Sequence, residues 1–215
     1  MFPIGDDDSA RRLTPIVTYV LIAINVIFFL LEMNGGNAFV ETWAFIPSRF
    51  LDNPASQFPT LFTSMFMHAG WMHLLGNMLY LWIFGDNIED RFGHGKFTIF
   101  YFLCGLAATF AQMVVNPDSS IPNVGASGAI AGVLGSYILL YPQGKIKILA
   151  GRGVTYAPAL LVIGLWIVLQ LFSGIGSLQT SGQQGGVAYM AHIGGFVAGL
   201  LLTFLFRGKT AGPVV

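Results

Sequence analysis

The chain has 215 residues, of which 54% are hydrophobic and only 9% charged, and its mean hydropathy is +0.69. Soluble domains carry about 25% charged residues, so this chain cannot cover itself with polar side chains and part of its surface must face lipid. Net charge is zero with no basic cluster, which argues against a nucleic-acid partner; the single cysteine, Cys104, can form neither an intramolecular disulfide nor a cysteine metal site.

Residues 1–14 are polar, and the apolar run behind them is too long for a signal h-region, so no cleavable leader is expected. Six apolar runs follow, at about 15–33, 71–87, 96–115, 125–141, 157–173 and 190–206. Several approach the roughly 20 residues that a helix needs to cross the hydrocarbon core. In lipid such runs must be helices, because each segment has to satisfy its own backbone groups. The linkers 88–95, 116–124 and 142–156 are short enough to join antiparallel neighbours. An all-α membrane protein of six transmembrane helices is predicted, as one domain over 15–207 with an N-terminal segment 1–14 and a tail 208–215.

Basic residues set the direction. Arg11, Arg12, Arg91, Lys96, Lys145, Lys147, Arg152, Arg207 and Lys209 fall on one side of a six-span arrangement, and only Arg49 on the other. Cytoplasmic loops collect Lys and Arg, so both termini are expected in the cytoplasm. The outward segments are then 34–70, 116–124 and 174–189.

This topology brings three reactive side chains to one end. His73 lies near the start of span 2, Ser127 near the start of span 4 and His192 near the start of span 6. Polar groups at such depth are costly and usually functional. From Ser127 to Tyr141 a helix rises roughly 22 Å, against a core roughly 30 Å thick. Ser127 is therefore expected several ångströms below the outer boundary, in a wet pit open to the outside.

Glycines allow the close approach that chemistry would need. Gly128 and Gly132 bare one surface of span 4, while His192, Gly195 and Gly199 share a face of span 6 at i, i+3 and i+7. Small residues let membrane helices come together, and contact here would bring the Ser127 hydroxyl to His192. Serine is a weak nucleophile until a base takes its proton, and histidine is suited to that task near neutral pH. After Arg91 the only carboxylate is Asp118, in an outer loop. A Ser–His dyad is the expectation, with Asp118 the one acid open to a triad. Oxyanion donors are the Ser127 backbone amide at its helix start and the His73 and Asn77 side chains, spaced i, i+4 on one face. His68 is read as an interfacial residue and His94 as a solvated loop residue, neither with a chemical role.

These residues resemble the rhomboid family of intramembrane serine proteases. The resemblance covers about residues 60–206. It rests on His73-Leu-Leu-Gly-Asn77, on Gly125-Ala-Ser127-Gly128, on Ala191-His192-Ile-Gly-Gly195-Phe-Val-Ala-Gly199, and on the inner loop with Glu89-Asp90-Arg91. It implies a six-helix rhomboid-like bundle and a Ser127–His192 dyad that cleaves transmembrane protein substrates near the outer membrane face. It also implies an oxyanion hole of His73, Asn77 and the Ser127 amide, an interfacial first loop over 34–70, a cap over 174–189 and lateral substrate entry past span 5. No metal or cofactor is implied. A multi-pass protein of a prokaryotic cell (inner) membrane is expected, its site opening outward, with the lipid bilayer itself as a partner.

Two positions depart from the family pattern. Phe58-Pro59-Thr60-Leu61 stands where some members carry a Trp-Arg pair, and Ala131 stands where many place an aromatic that packs on the histidine. The competing reading is a catalytically silent relative that binds membrane proteins, although such relatives typically lose the serine or histidine. A transporter would want midplane binding residues. A zinc protease would want His-Glu-x-x-His, which is absent.

Overall fold

The computed structural model describes residues 2–7, 9, 11–151, 153–179 and 187–207. In chain order the elements are β1 (Phe2–Gly5), α1 (Ile16–Trp43), the short α2 (Pro47–Asp52), α3 (Pro54–Gln57) and α4 (Thr60–Thr63), and a 3-10 turn (Ser64–Phe66). Then come α5 (Trp71–Phe92), α6 (His94–Val115), α7 (Ser127–Leu140), β2 (Lys145–Ala150), β3 (Gly153–Pro158), α8 (Ala159–Gln179) and α9 (Tyr189–Phe206). The tail 208–215 and the centre of the expected cap, 180–186, lie outside the described residues.

Among the described residues, four helices are long and apolar enough to cross a membrane: α1, α6, α8 over Ala159–Gly176, and α9. The other two expected spans differ for separate reasons. α5 has 22 residues but carries Asp86, Glu89, Asp90 and Arg91 in its last turns, and α7 has only 14 residues. α7 is the bundle's centre. It is buried along almost its whole length and packs on α9, α6 and α5. The core around it is aromatic and aliphatic, with Phe84, Phe97, Phe100, Tyr101 and Leu134 fully enclosed. Outward faces are equally apolar: Leu160, Leu161, Leu169 and Phe172 of α8 are all exposed, a distribution that water would oppose and lipid accepts.

One end is bound by a carboxylate. α1 begins after Pro15 with no side-chain cap, which leaves its first amides without intrahelical acceptors. The fully buried Glu89 of α5 supplies them, accepting from the Val17 amide at 2.8 Å and from the Thr18 amide and hydroxyl at 2.7 Å each. A negative group at a helix N-terminus also complements the helix dipole. Asp90 accepts from the Arg12 and Leu13 amides, and Arg11 pairs with Asp86. These contacts set the start of α1 beside the end of α5, so the two helices run antiparallel.

The structure adds a small sheet to the predicted all-helical architecture. β1, β2 and β3 pair antiparallel in that order, where the sequence reading has a polar terminal segment and a plain linker over 142–156. The cause is a short period-two pattern. Ile146 and Ile148 turn inward while Lys145 and Lys147 face out, the alternation of a half-buried strand. Gly151, at φ +62°, makes the turn between β2 and β3. A second difference lies in α1. The predicted outer segment starts at residue 34, but the helix bends at Gly36 (φ 58°, ψ −146°) and continues to Trp43. A span ends where its apolar run ends, whereas a helix continues as long as its backbone bonds do.

The opposite end is knitted from loops. The Asn123 amide donates to the Phe45 carbonyl at 2.7 Å and the Ser48 amide to the Ser119 carbonyl at 3.1 Å. The Gly125 amide donates to the Ser64 carbonyl at 2.9 Å. The segment before α2 and the 3-10 turn therefore brace the stretch that leads into Ser127.

Candidate active site

Ser127 is the first residue of α7 and His192 the fourth of α9. Their helices approach as closely as backbones can. A Cβ added at Gly195 would land on the Gly128 carbonyl oxygen, and one at Gly199 on the Gly132 carbonyl oxygen. This double contact, one turn apart on both helices, draws the helix starts together. Ser127 Oγ lies 2.8 Å from His192 Nε2, a full hydrogen bond. His192 is 9% exposed, so little water competes for it. The start of α9 is held by α6, where Gln112 Oε1 accepts from the Ala191 amide at 3.3 Å.

The approach to Ser127 depends on Gly125. Its φ of +129° lies in the region that favours glycine, and an added Cβ would stand 2.9 Å from His73 Nε2 and 3.5 Å from Ser127 Oγ. The His73 ring edge and the serine hydroxyl thus face the same spot. The Ala69 amide donates to His73 Nδ1 at 3.4 Å. Nδ1 is therefore an acceptor, and the ring proton sits on Nε2, the nitrogen turned toward Gly125. One turn along α5, Asn77 is 8% exposed and its Nδ2 makes no hydrogen bond among the described residues. A buried amide donor without a partner is uncommon and calls for a reason. The Ser127 amide, at N1 of α7, has no intrahelical acceptor. Beside Ser127 is a cavity of about 20 Å³, lined also by Ser64, Asn123, Gly125, Gly128 and Ala191, enough for one water molecule.

Two residues that the sequence reading passes over stand against His192. Gln170 Oε1 of α8 lies 2.7 Å from His192 Nδ1, and the Trp166 ring packs on the imidazole with centroids 5.6 Å apart at 37°. Ala131, where many family members carry an aromatic, is fully buried; the ring that covers the histidine comes from α8 instead. The available signal was the i, i+4 spacing of Trp166 and Gln170, with an amide inside an otherwise apolar run. Asp118 is exposed in the loop after α6, and the position beside Nδ1 is taken by Gln170.

His68 is enclosed by protein: it is 1% exposed, and its amide donates to Glu32 Oε2 at 3.0 Å. Its ring stands edge-on to His73 with centroids 5.0 Å apart. His94 is likewise not a free loop residue, for its Nδ1 pairs with Glu89 Oε1 at 2.6 Å.

A helical membrane bundle with a buried serine–histidine pair at adjoining helix starts is the class that fold and geometry define. The rhomboid domain profile matches residues 55–209, and the chain belongs to the rhomboid family, as an integral membrane protein. It is 32% identical over 190 residues, 87% of its length, to rhomboid protease GluP of Bacillus subtilis (strain 168). It is 33% identical over 149 residues, 68% of its length, to RHOMBOID-like protein 1 of Arabidopsis thaliana, and 27% identical over 198 residues, 91% of its length, to rhomboid protease GlpG of Salmonella paratyphi A. The matched stretches span 35%, 34% and 64% of those three proteins.

Proposed function

We propose that this chain is an intramembrane serine endopeptidase that hydrolyses peptide bonds of transmembrane proteins near the outer membrane face. The observation that carries the reading is the 2.8 Å contact between Ser127 Oγ and His192 Nε2. His192 takes the hydroxyl proton while Oγ adds to the scissile carbonyl carbon. The resulting oxyanion accepts hydrogen bonds from the Ser127 amide, His73 Nε2 and Asn77 Nδ2. The imidazolium then protonates the departing amine, leaving an acyl-serine. A water that gives its proton to His192 hydrolyses the ester and restores both residues.

In this reading α1, α5, α6, α7, α8 and α9 are six spans with both termini cytoplasmic, and the Ser127 end opens outward from a prokaryotic cell membrane. The nine-to-one division of Lys and Arg supports the orientation. α7 can be short because loops braced on Phe45 and Ser64 complete its outer end. Substrates enter sideways from lipid past α8, and the small cavity beside Ser127 favours a small side chain at the cleaved bond.

A fluorogenic serine-reactive phosphonate, applied to detergent-solubilised protein, tests the reading. Wild type is expected to label and to cleave a transmembrane reporter, while Ser127→Ala and His192→Ala lose both, by roughly 10⁴-fold or more in rate. Labelling that persists in Ser127→Ala would refute the dyad. A folded wild type that neither labels nor cleaves would favour a catalytically silent membrane-protein-binding relative.

A further inference from the structure

His192 is gripped at both ring nitrogens, Nε2 by Ser127 at 2.8 Å and Nδ1 by Gln170 at 2.7 Å. The Gln170 amide oxygen facing Nδ1 can only accept, so the ring proton belongs on Nδ1. Nε2 then keeps its lone pair, turned toward the serine hydroxyl. This is the one neutral tautomer in which imidazole can take the serine proton. Trp166, one turn earlier on α8, lies over the ring and restricts its tilt, which leaves rotation and tautomer to Gln170.

We propose that Gln170 is the positioning residue of the site, taking the orienting place that an acid holds in a triad; the proposal rests on the Ser127–His192 reading above. The chemistry suits the location. A carboxylate facing His192 between apolar helices would have to give up its hydration, which is unfavourable for an ion there. An amide fixes the same tautomer without a charge to bury. Its dipole lends less support to the imidazolium than a carboxylate would, so the residue acts mainly through geometry. No carboxylate follows Asp118 in the chain, which leaves Gln170 as the acceptor that the fold supplies. Because α8 carries both Trp166 and Gln170 while α7 and α9 carry Ser127 and His192, the base is correctly presented only while α8 is seated against α9.

The test uses the full chain in lipid nanodiscs with ¹⁵N-labelled histidine. Gln170→Met keeps the length and removes the acceptor, and Gln170→Glu keeps the acceptor. In Gln170→Met, kcat for a transmembrane reporter is expected to fall about 10- to 100-fold, as for other orienting partners, with KM and thermal stability near wild type. Gln170→Glu is expected to recover part of that loss in kcat, at a lower thermal stability because its carboxylate must be desolvated. The ¹⁵N spectrum should show the Nδ1–H tautomer at His192 in wild type and a mixture in Gln170→Met. An Nε2–H tautomer in wild type would overturn the proposal even for an inactive preparation. So would an unchanged kcat in Gln170→Met. Those outcomes with intact phosphonate labelling of Ser127 leave the protease reading standing, whereas labelling that survives Ser127→Ala removes both.

Discussion

The methyl of an alanine at Gly195 would fall far inside contact distance of the carbonyl oxygen of Gly128. Both partners are backbone, and neither can swing aside as a side chain would. Gly195→Ala must therefore push α9 away from α7. Overpacking of this kind costs about 1–3 kcal/mol, and separation of the helix starts lengthens the Ser127–His192 contact. We expect a lower midpoint of unfolding together with loss of phosphonate labelling. A labelled, fully stable Gly195→Ala protein would show that the two helices are not clamped there.

Gly125 tests turnover apart from the helix contact. Its substitution by alanine is strained by the φ of +129° and crowds the His73 ring, at a cost of about 1–3 kcal/mol. The strain is local to the approach to Ser127 and distant from the α7–α9 seam below it. Gly125→Ala should lower the unfolding midpoint by a comparable amount but lose turnover with the α7–α9 contact still in place, as judged by reporter cleavage beside a denaturation curve.

Asn77 is expected to act on rate alone. Loss of one oxyanion donor costs about 3–4 kcal/mol at most, and the His73 ring and Ser127 amide remain. Asn77→Ala should lower kcat by roughly 10²–10³-fold with little change in KM. Wild-type turnover in both Asn77→Ala and His73→Ala would remove these side chains from the oxyanion hole.

At the other end of the bundle the expected effect is on stability. Glu89 accepts three hydrogen bonds from the first turn of α1 and pairs with His94. Hydrogen bonds to a charged group are worth about 1.5–3 kcal/mol. Glu89→Ala, which orphans several donors at once, should destabilise the protein by about 3 kcal/mol or more, and Glu89→Gln by less. Titration of folded protein with a denaturing detergent measures the difference. Activity per folded molecule should stay near wild type.

Orientation has its own check. Cysteines placed at Ser119 and Lys147, in a Cys104→Ala background, should react with a membrane-impermeant thiol reagent from opposite sides of sealed vesicles. Reaction from the same side would break the six-span arrangement.

Sequence and structure diverge in an instructive way. Helices bounded by polar residues were legible to within two positions: the runs 96–115 and 190–206 became His94–Val115 and Tyr189–Phe206. The glycines at 128, 132, 195 and 199 carried the α7–α9 contact, because a bare helix face has few other uses. Gln170 was opaque. Its spacing from Trp166 could be read, but the group that would face Nδ1 depends on how α8 is rotated against α9, which no periodicity within α8 encodes. The sheet escaped for another reason. Phe2–Gly5 has no pattern of its own and becomes a strand only because Ile146 and Ile148 place an open edge beside it.

That strand carries a consequence for biogenesis. Phe2–Gly5 is translated ahead of α1, α5, α6 and α7, and its neighbour Lys145–Ala150 only after them. Asp6 beside it binds Asn87 Nδ2 at 2.8 Å and the Tyr137 hydroxyl at 2.9 Å, from two of those intervening helices. The segment must wait unpaired while the helices insert, and pairing entropy is repaid only at the end. Its pairing with Lys145–Ala150 closes last, after the contact to Asn87 of α5 is already available. Protection of Phe2–Gly5 from added protease should accordingly appear only on assembly past Ala150.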